Sequence, residues 1–256
     1  MQIKKGKMIM KKRFGFTIAE LLIVIGIIGV ISALVMPHIT KAYQKQIAVT
    51  RLKKSYAIIQ NAIRQEEAIS GEVMNWWPEW DYDITAWYRQ DINAAIQNHI
   101  LPHLNVIEFY PREGVSGTIL MTLCGNENGY TWLNGLNIST AGDRTYSSFK
   151  LADGTCIGIG SYSYGNDQQL KNVLIDINGS DTKPNISGID LFHFILNDKG
   201  QLIPYGQDWT DADLTNKSKF NACTTNYPAC GGAVCAAKIM RDGWKIKDDY
   251  PWTWRK

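Results

Sequence analysis

The distribution of apolar and polar positions divides the chain before any residue is counted. From Phe16 to Met36 the sequence reads FTIAELLIVIGIIGVISALVM, 21 residues with a single charge, Glu20. A helix drawn through it is apolar on every face, without the one-sided stripe of a surface helix. At 1.5 Å per residue it would be about 31 Å long, close to the roughly 30 Å hydrocarbon core of a bilayer. The all-round apolarity argues against the core helix of a soluble protein. A cleaved secretory signal would be shorter and would end in a small-x-small site. Here Ser32-Ala33 runs on into Leu34-Val35-Met36-Pro37 and offers none.

After Pro37 the pattern becomes one-sided. Ala42, Val49, Leu52, Tyr56, Ile59 and Ile63 follow three- and four-residue steps, with Lys41, Lys45, Lys53, Lys54 and Arg64 on other faces. This predicts an amphipathic continuation of the helix over residues 37–70, its stripe packed on a folded head. Gly71 and the Trp-rich stretch after it mark its end. Trp76, Trp77, Trp80, Tyr82, Trp87 and Tyr88 crowd the junction. Such rings can stack on sugars or bases, but large aromatics more often pack one element against another. Residues 86–101 read as a short helix. Strand patterns then follow at Thr118–Leu123, Tyr146–Leu151, Thr155–Ile159, Val173–Ile177, Leu191–Leu196 and Gln201–Tyr205. Turn residues separate them, including Asp153-Gly154, Asn178-Gly179 and Asp198-Lys199-Gly200, which favour hairpins by tolerating positive φ. The expected fold is α+β: a long N-terminal membrane-spanning helix packed on an antiparallel sheet.

Charge sharpens the division. The whole chain of 256 residues carries a formal +3, which on its own implies no charged partner. Residues 1–15 hold six Lys or Arg and no acid, and residues 16–65 hold six more against Glu20 alone. Residues 66–256 hold 15 basic and 23 acidic side chains, formally −8. An acidic head lacks the clustered Lys and Arg that nucleic-acid binding needs. The positive-inside rule places residues 1–15 in the cytoplasm and the head outside. Glu20 stands out, since an unpaired charge in a spanning helix costs on the order of 2.5–3.5 kcal/mol on insertion scales. Either it is tolerated near the cytoplasmic interface, or it meets a positive charge supplied from elsewhere, such as a newly exposed α-amino group on a neighbouring copy.

Arg13-Phe14-Gly15-Phe16-Thr17-Ile18-Ala19-Glu20-Leu21-Leu22, followed by the apolar run and Pro37, resembles the signal of type IV pilins and type II secretion pseudopilins. The resemblance covers residues 1 to about 65. It implies cleavage by a prepilin peptidase between Gly15 and Phe16, with N-methylation of Phe16. Glu20 would neutralise the Phe16 amine of an adjacent subunit, and Pro37 matches the proline that ends the apolar half of the stem. The implied layout is a basic leader at 1–15, a transmembrane helix at 16–36, the stem continuation at 37–70 and an exported head at 71–256. The implied partners are other copies or related pilins, the peptidase, an inner-membrane assembly platform and membrane lipid. The expected function is structural, as a pilus or pseudopilus subunit. An alternative is an adhesin-like minor pilin whose Trp-rich head captures sugar, DNA or a surface.

Candidate chemistry in the head is sparse. Asp176, Asn178, Asp181 and Asp190 could supply calcium oxygens, although the spacing is not an EF-hand and turn chemistry accounts for the same residues. Cys124, Cys156, Cys223, Cys230 and Cys235 can form disulfides in an exported head, and an odd count leaves one over. Cys124–Cys156 and a bridge within Cys223, Cys230 and Cys235 are the expected pairings. His99 and His103 are four apart, but Pro102 breaks the helix that would align them. No Gly-x-Ser-x-Gly, His-Glu-x-x-His or phosphate-binding glycine loop occurs, so neither an enzyme nor a cofactor is expected.

Overall fold

The computed structural model describes residues 15, 17–77, 88–111, 118–126, 128–141, 146–163, 169–226 and 231–252. The leader at 1–14, Phe16, the aromatic residues Trp80, Tyr82 and Trp87, and Cys230 lie outside them. The chain forms two compact units, residues 1–44 and residues 45–256.

In the first unit the described residues after Thr17 belong to helix α1, Ile18–Ser70, whose bounds carry it on into the second unit. Pro37 lies inside α1. Its missing N–H removes one rung of the ladder. Three residues on, the Thr40 hydroxyl donates to the Met36 carbonyl at 2.8 Å.

The second unit is a sheet with both faces covered. In α1 the buried positions are Ala48, Leu52, Ser55, Ile59, Gln60, Ala62, Ile63 and Glu66, with Val49 and Tyr56 half-buried. The stripe therefore has the expected period but includes small and polar residues that hydrophobicity alone passes over. Ala42, placed on the stripe from the sequence, is exposed. The helix stops where Gly71 adopts φ +82°, a conformation glycine takes without strain, and Gly71 N–H closes on the Glu67 carbonyl at 3.0 Å. A short helix α2, Val73–Trp76, follows. Helix α3, Tyr88–Ala95, runs on into a π-turn at Ile96–Ile100 and a 3₁₀ turn at Leu101–His103.

The strands are β1 Val106–Tyr110, β2 Thr118–Leu120, β3 Ser139–Ala141, β4 Ser147–Leu151, β5 Cys156–Ser163, β6 Gln169–Asp176, β7 Leu191–Leu196 and β8 Leu202–Pro204. The main sheet has order β1-β4-β5-β6-β7-β8, each neighbouring pair antiparallel, and β2 and β3 make a separate ribbon. Two strands, β1 and β3, carry no clear sequence signal. Ile107 and Glu108 of β1 are adjacent and both exposed, so period-two alternation is lost. Asn178-Gly179 does not close a tight hairpin. The Asp176 carboxylate takes the N–H groups of Asn178 and Gly179, at 3.1 and 3.0 Å, and the chain continues as a loop to β7. Two small helices, α4 Asp211–Leu214 and α5 Cys235–Arg241, complete the fold.

Alternation in the central strands serves two cores. Phe149, Ile157, Val173, Ile175, Phe192 and Phe194 join the α1 stripe in one cluster. Cys156, Leu174 and Leu191 meet Leu123, Tyr130 and Trp132 in the other. Strands buried on both sides read as continuous apolar runs, which accounts for the texture of LFHFIL in β7. Gly158 of β5 is where the second layer comes closest. A Cβ there would lie 2.4 Å from the Leu123 side chain. Polar contacts fix how α1 lies in this unit: Gln60 donates to Gly200 O at 2.8 Å and accepts from Leu202 N at 2.7 Å, and Lys54 pairs with Asp153 at 2.7 Å. The fold class is α+β, helix on antiparallel sheet.

Candidate functional site

The start of α1 is organised by two side chains of the apolar segment. Thr17 Oγ1 accepts from Glu20 N at 3.2 Å, and Thr17 N and Oγ1 both donate to Glu20 Oε2 at 2.8 Å. This is a capping box, with Thr17 and Glu20 satisfying each other's backbone donors. The Thr-x-x-Glu spacing was present in the sequence and identifies it. Gly15 is exposed, with nothing within 4 Å of where a Cβ would sit, and the same is true of Gly26 and Gly29. From Leu21 to Met36 the large apolar side chains are exposed, Leu34 at 69% and Val30 at 65%. Helix α1 is long and apolar enough to cross a membrane, by length and composition, within its N-terminal part.

Residues 10–36 match the prokaryotic N-terminal methylation motif. In that segment the chain is type IV pilin-like, of the prepilin type. Residues 134–254 match a family of unknown function, DUF6613. No curated protein and no solved structure matches the chain. The motif belongs to structural rather than enzymatic proteins, and its apolar helix is consistent with membrane anchoring.

The head of this pilin-like protein places the remaining candidates in three clusters. In the first, the four calcium candidates are divided. Asp176 and Asp190 are buried, at 0% and 1% exposure, whereas Asp181 is exposed and pairs with Lys150 at 2.9 Å. Asn178 donates to the Thr182 and Lys183 carbonyls. Among the described residues no group of three or more His, Cys, Asp or Glu is arranged to hold a metal. Asp176 accepts from Tyr130 Oη at 2.7 Å, and Asp190 accepts from Asn185 N at 2.7 Å and Ile186 N at 2.6 Å. Burial, and then the charge of Asp190, push the Asp176 carboxyl up. Burial likewise pushes Asp190 up, against the N–H groups of Ile186 and Asn185.

These raised groups make stability pH-dependent. A carboxyl that binds its proton more tightly in the folded state than in the unfolded chain stabilises the fold at low pH. That contribution is lost as pH rises through the raised value. Thermal melts of the full chain in detergent should therefore show a midpoint falling towards alkaline pH. Asp176→Asn keeps the shape without the charge and should flatten that fall. An unchanged slope in this variant would remove the buried pair as its cause.

In the second cluster the cysteines pair as Cys124–Cys156 and Cys223–Cys235. The first ties the loop after β2 to β5, with Cys124 N also held by Ser148 Oγ at 2.8 Å. The second ties the chain after α4 to the start of α5. His193 of β7 is buried, stacked on Trp132 at 5.9 Å with Nε2 3.0 Å from Ser187 Oγ. Burial pushes it down to about 3, which keeps it neutral.

The third cluster corrects the expectation for His99 and His103. Pro102 does not separate them, because the π-turn and 3₁₀ turn replace a regular helix and carry both rings to one carboxylate. His99 Nδ1 lies 2.5 Å from Glu66 Oε1, and His103 Nε2 lies 2.7 Å from Glu66 Oε2. Glu66 was missed because an acid beside Glu67 near the end of an amphipathic helix reads as solvated. Trp76 and Trp77 are both buried, Trp76 with its ring 5.2 Å from His99.

Proposed function

We propose that this chain is a structural subunit of a type IV pilus or a type II secretion pseudopilus. Prepilin peptidase cuts between Gly15 and Phe16 and Phe16 is N-methylated. The mature subunit waits in the inner membrane through residues 16–36, with the head of residues 71–256 outside. An assembly platform then draws it into a helical filament with other pilins. The observation that carries this reading is the methylation motif at residues 10–36, continuous with a helix whose apolar side chains are exposed. Exposed large apolar residues in such a run require lipid or neighbouring subunits to cover them. Within the filament, Glu20 pairs with the Phe16 amine of an adjacent subunit, which relieves two charges in a medium of low dielectric. Pro37 marks the end of the apolar half.

The adhesin-like alternative loses part of its motive, because Trp76 and Trp77 are packed inside rather than offered to a ligand. Mass spectrometry of the mature chain tests the main reading. The expected N-terminal residue is N-methyl-Phe16. An intact Met1 N-terminus, or an unmodified end elsewhere, would overturn it.

A further inference from the structure

The last turns of α1 carry a carboxylate that three other side chains reach. Glu66 is 4% exposed. Its Oε1 accepts from Ser70 Oγ at 2.5 Å and meets His99 Nδ1, while its Oε2 meets His103 Nε2. The two rings come from successive turns of different pitch, Ile96–Ile100 and Leu101–His103. Other charged groups close by on α1 point elsewhere: Arg64 is exposed, and Glu67 lies against Gly200. The Trp76 ring of α2 covers His99 and brings no charge. His99 and His103 are therefore the titratable groups that act on Glu66 among the described residues.

We propose that Glu66, His99 and His103 form a proton-operated clasp that fastens residues 96–103 to the end of α1. It is closed while an imidazole is charged and slack when both are neutral. A buried carboxylate needs a cation or a full set of donors to offset its lost hydration. An imidazolium supplies both, and hydrogen bonds between ionised groups are roughly twice as strong as neutral ones. With both rings neutral, each still donates one N–H, but a net negative charge is left inside. Imidazole is the side chain whose ordinary charge change falls between about pH 5 and 8. Burial raises the Glu66 carboxyl, but hydrogen bonds from His103, Ser70 and His99 outweigh burial and hold it at about 2. His99, with 27% of its side chain exposed against 12% for His103, is the ring that water reaches more readily.

What the clasp controls is the packing of the turn. Ile96 and Ile100 are buried on it, at 0% and 1% exposure, in the same cluster as Ile59, Ile63 and Trp76. Slackening the clasp weakens the hold of those apolar side chains on the stem. The state closed at lower pH is thus the more rigid one at this end of α1.

Hydrogen exchange read by mass spectrometry on the full chain in detergent micelles tests this, at about pH 5.5 and about pH 8 with rates corrected for intrinsic exchange. Peptides covering 96–103 should exchange on the order of tenfold faster at the higher pH, consistent with losing one charge-assisted bond. Peptides from β6 and β7, which flank Asp176 and Asp190, report that pair's own pH effect and should change less than those from 96–103. The double variant His99→Gln with His103→Gln keeps side-chain N–H donors but cannot titrate, and should exchange fast at both pH values. Equal protection of 96–103 at both pH values in the natural chain would overturn the clasp. So would a tenfold change that persists in the double variant. If that variant does not fold, the natural chain decides alone. Loosening confined to residues 177–190 would assign the pH effect to Asp176 and Asp190 and overturn the proposal.

Discussion

Gly15→Val should leave the whole population of this protein at precursor length. The substitution is a clean probe because the chain itself has no need of the glycine. Gly15 precedes α1, is exposed, and has open space where a Cβ would sit. Any block therefore reads the peptidase and not the folding of the substrate. The precursor should still sit in the membrane, fifteen residues longer and without N-methyl-Phe16, and should not enter filaments. Processing at the wild-type rate would sink the assignment of the cut. Glu20 needs a subtler pair of variants, because the capping box gives it a second role. Glu20→Ala should still be cleaved but removes both the charge and the cap, the latter costing about 0.5–2 kcal/mol at a helix start. Glu20→Gln preserves the box, since Gln serves at that position, and removes only the charge. If Gln assembles as well as Glu, the pairing with an adjacent amine is wrong. If Gln fails as Ala does, the charge is what assembly requires.

How much of this was legible in the sequence depends on how local the cause is. The apolar run, the break at Gly71 and the Asp153-Gly154 turn follow from side chains acting on their own backbone, and all three are in place. The α1 stripe was legible in period and incomplete in membership. Ser55 and Glu66 are buried because Thr155, His99 and His103 come from distant parts of the chain to meet them. Nothing within a turn of Glu66 announces those partners. The Asn178-Gly179 hairpin failed for a related reason: a buried Asp176 captured the N–H groups the turn would have left to solvent. In each miss a tertiary contact overrode a sound local preference. The Glu20 cap is different, being a local motif that the interest in its charge concealed.

Phe194→Ala should cost the head about 3–5 kcal/mol, the usual range for removing a buried Phe ring. Phe194 is fully buried in β7, opposite Val173 of β6 and Pro204 of β8. Its ring lies 5.7 Å from that of Tyr56 on α1, tilted at 39°. The side chain therefore belongs to the sheet by its backbone and to the helix by its ring. Truncation removes both its transfer free energy and the aromatic contact, and no neighbouring β-strand can move in without breaking the register on both sides. A domain of this size is held by about 5–15 kcal/mol in total. The midpoint of thermal unfolding, followed by circular dichroism in detergent, should fall by roughly 6–20 °C at about 2–4 °C per kcal/mol. Ile69→Ala supplies the contrast. It lies near the end of the same helix at 73% exposure, and should change stability by no more than about 0.5 kcal/mol. Equal losses in the two variants would mean that helix α1 and the sheet do not share a core. The Tyr56 contact would then be incidental to the fold.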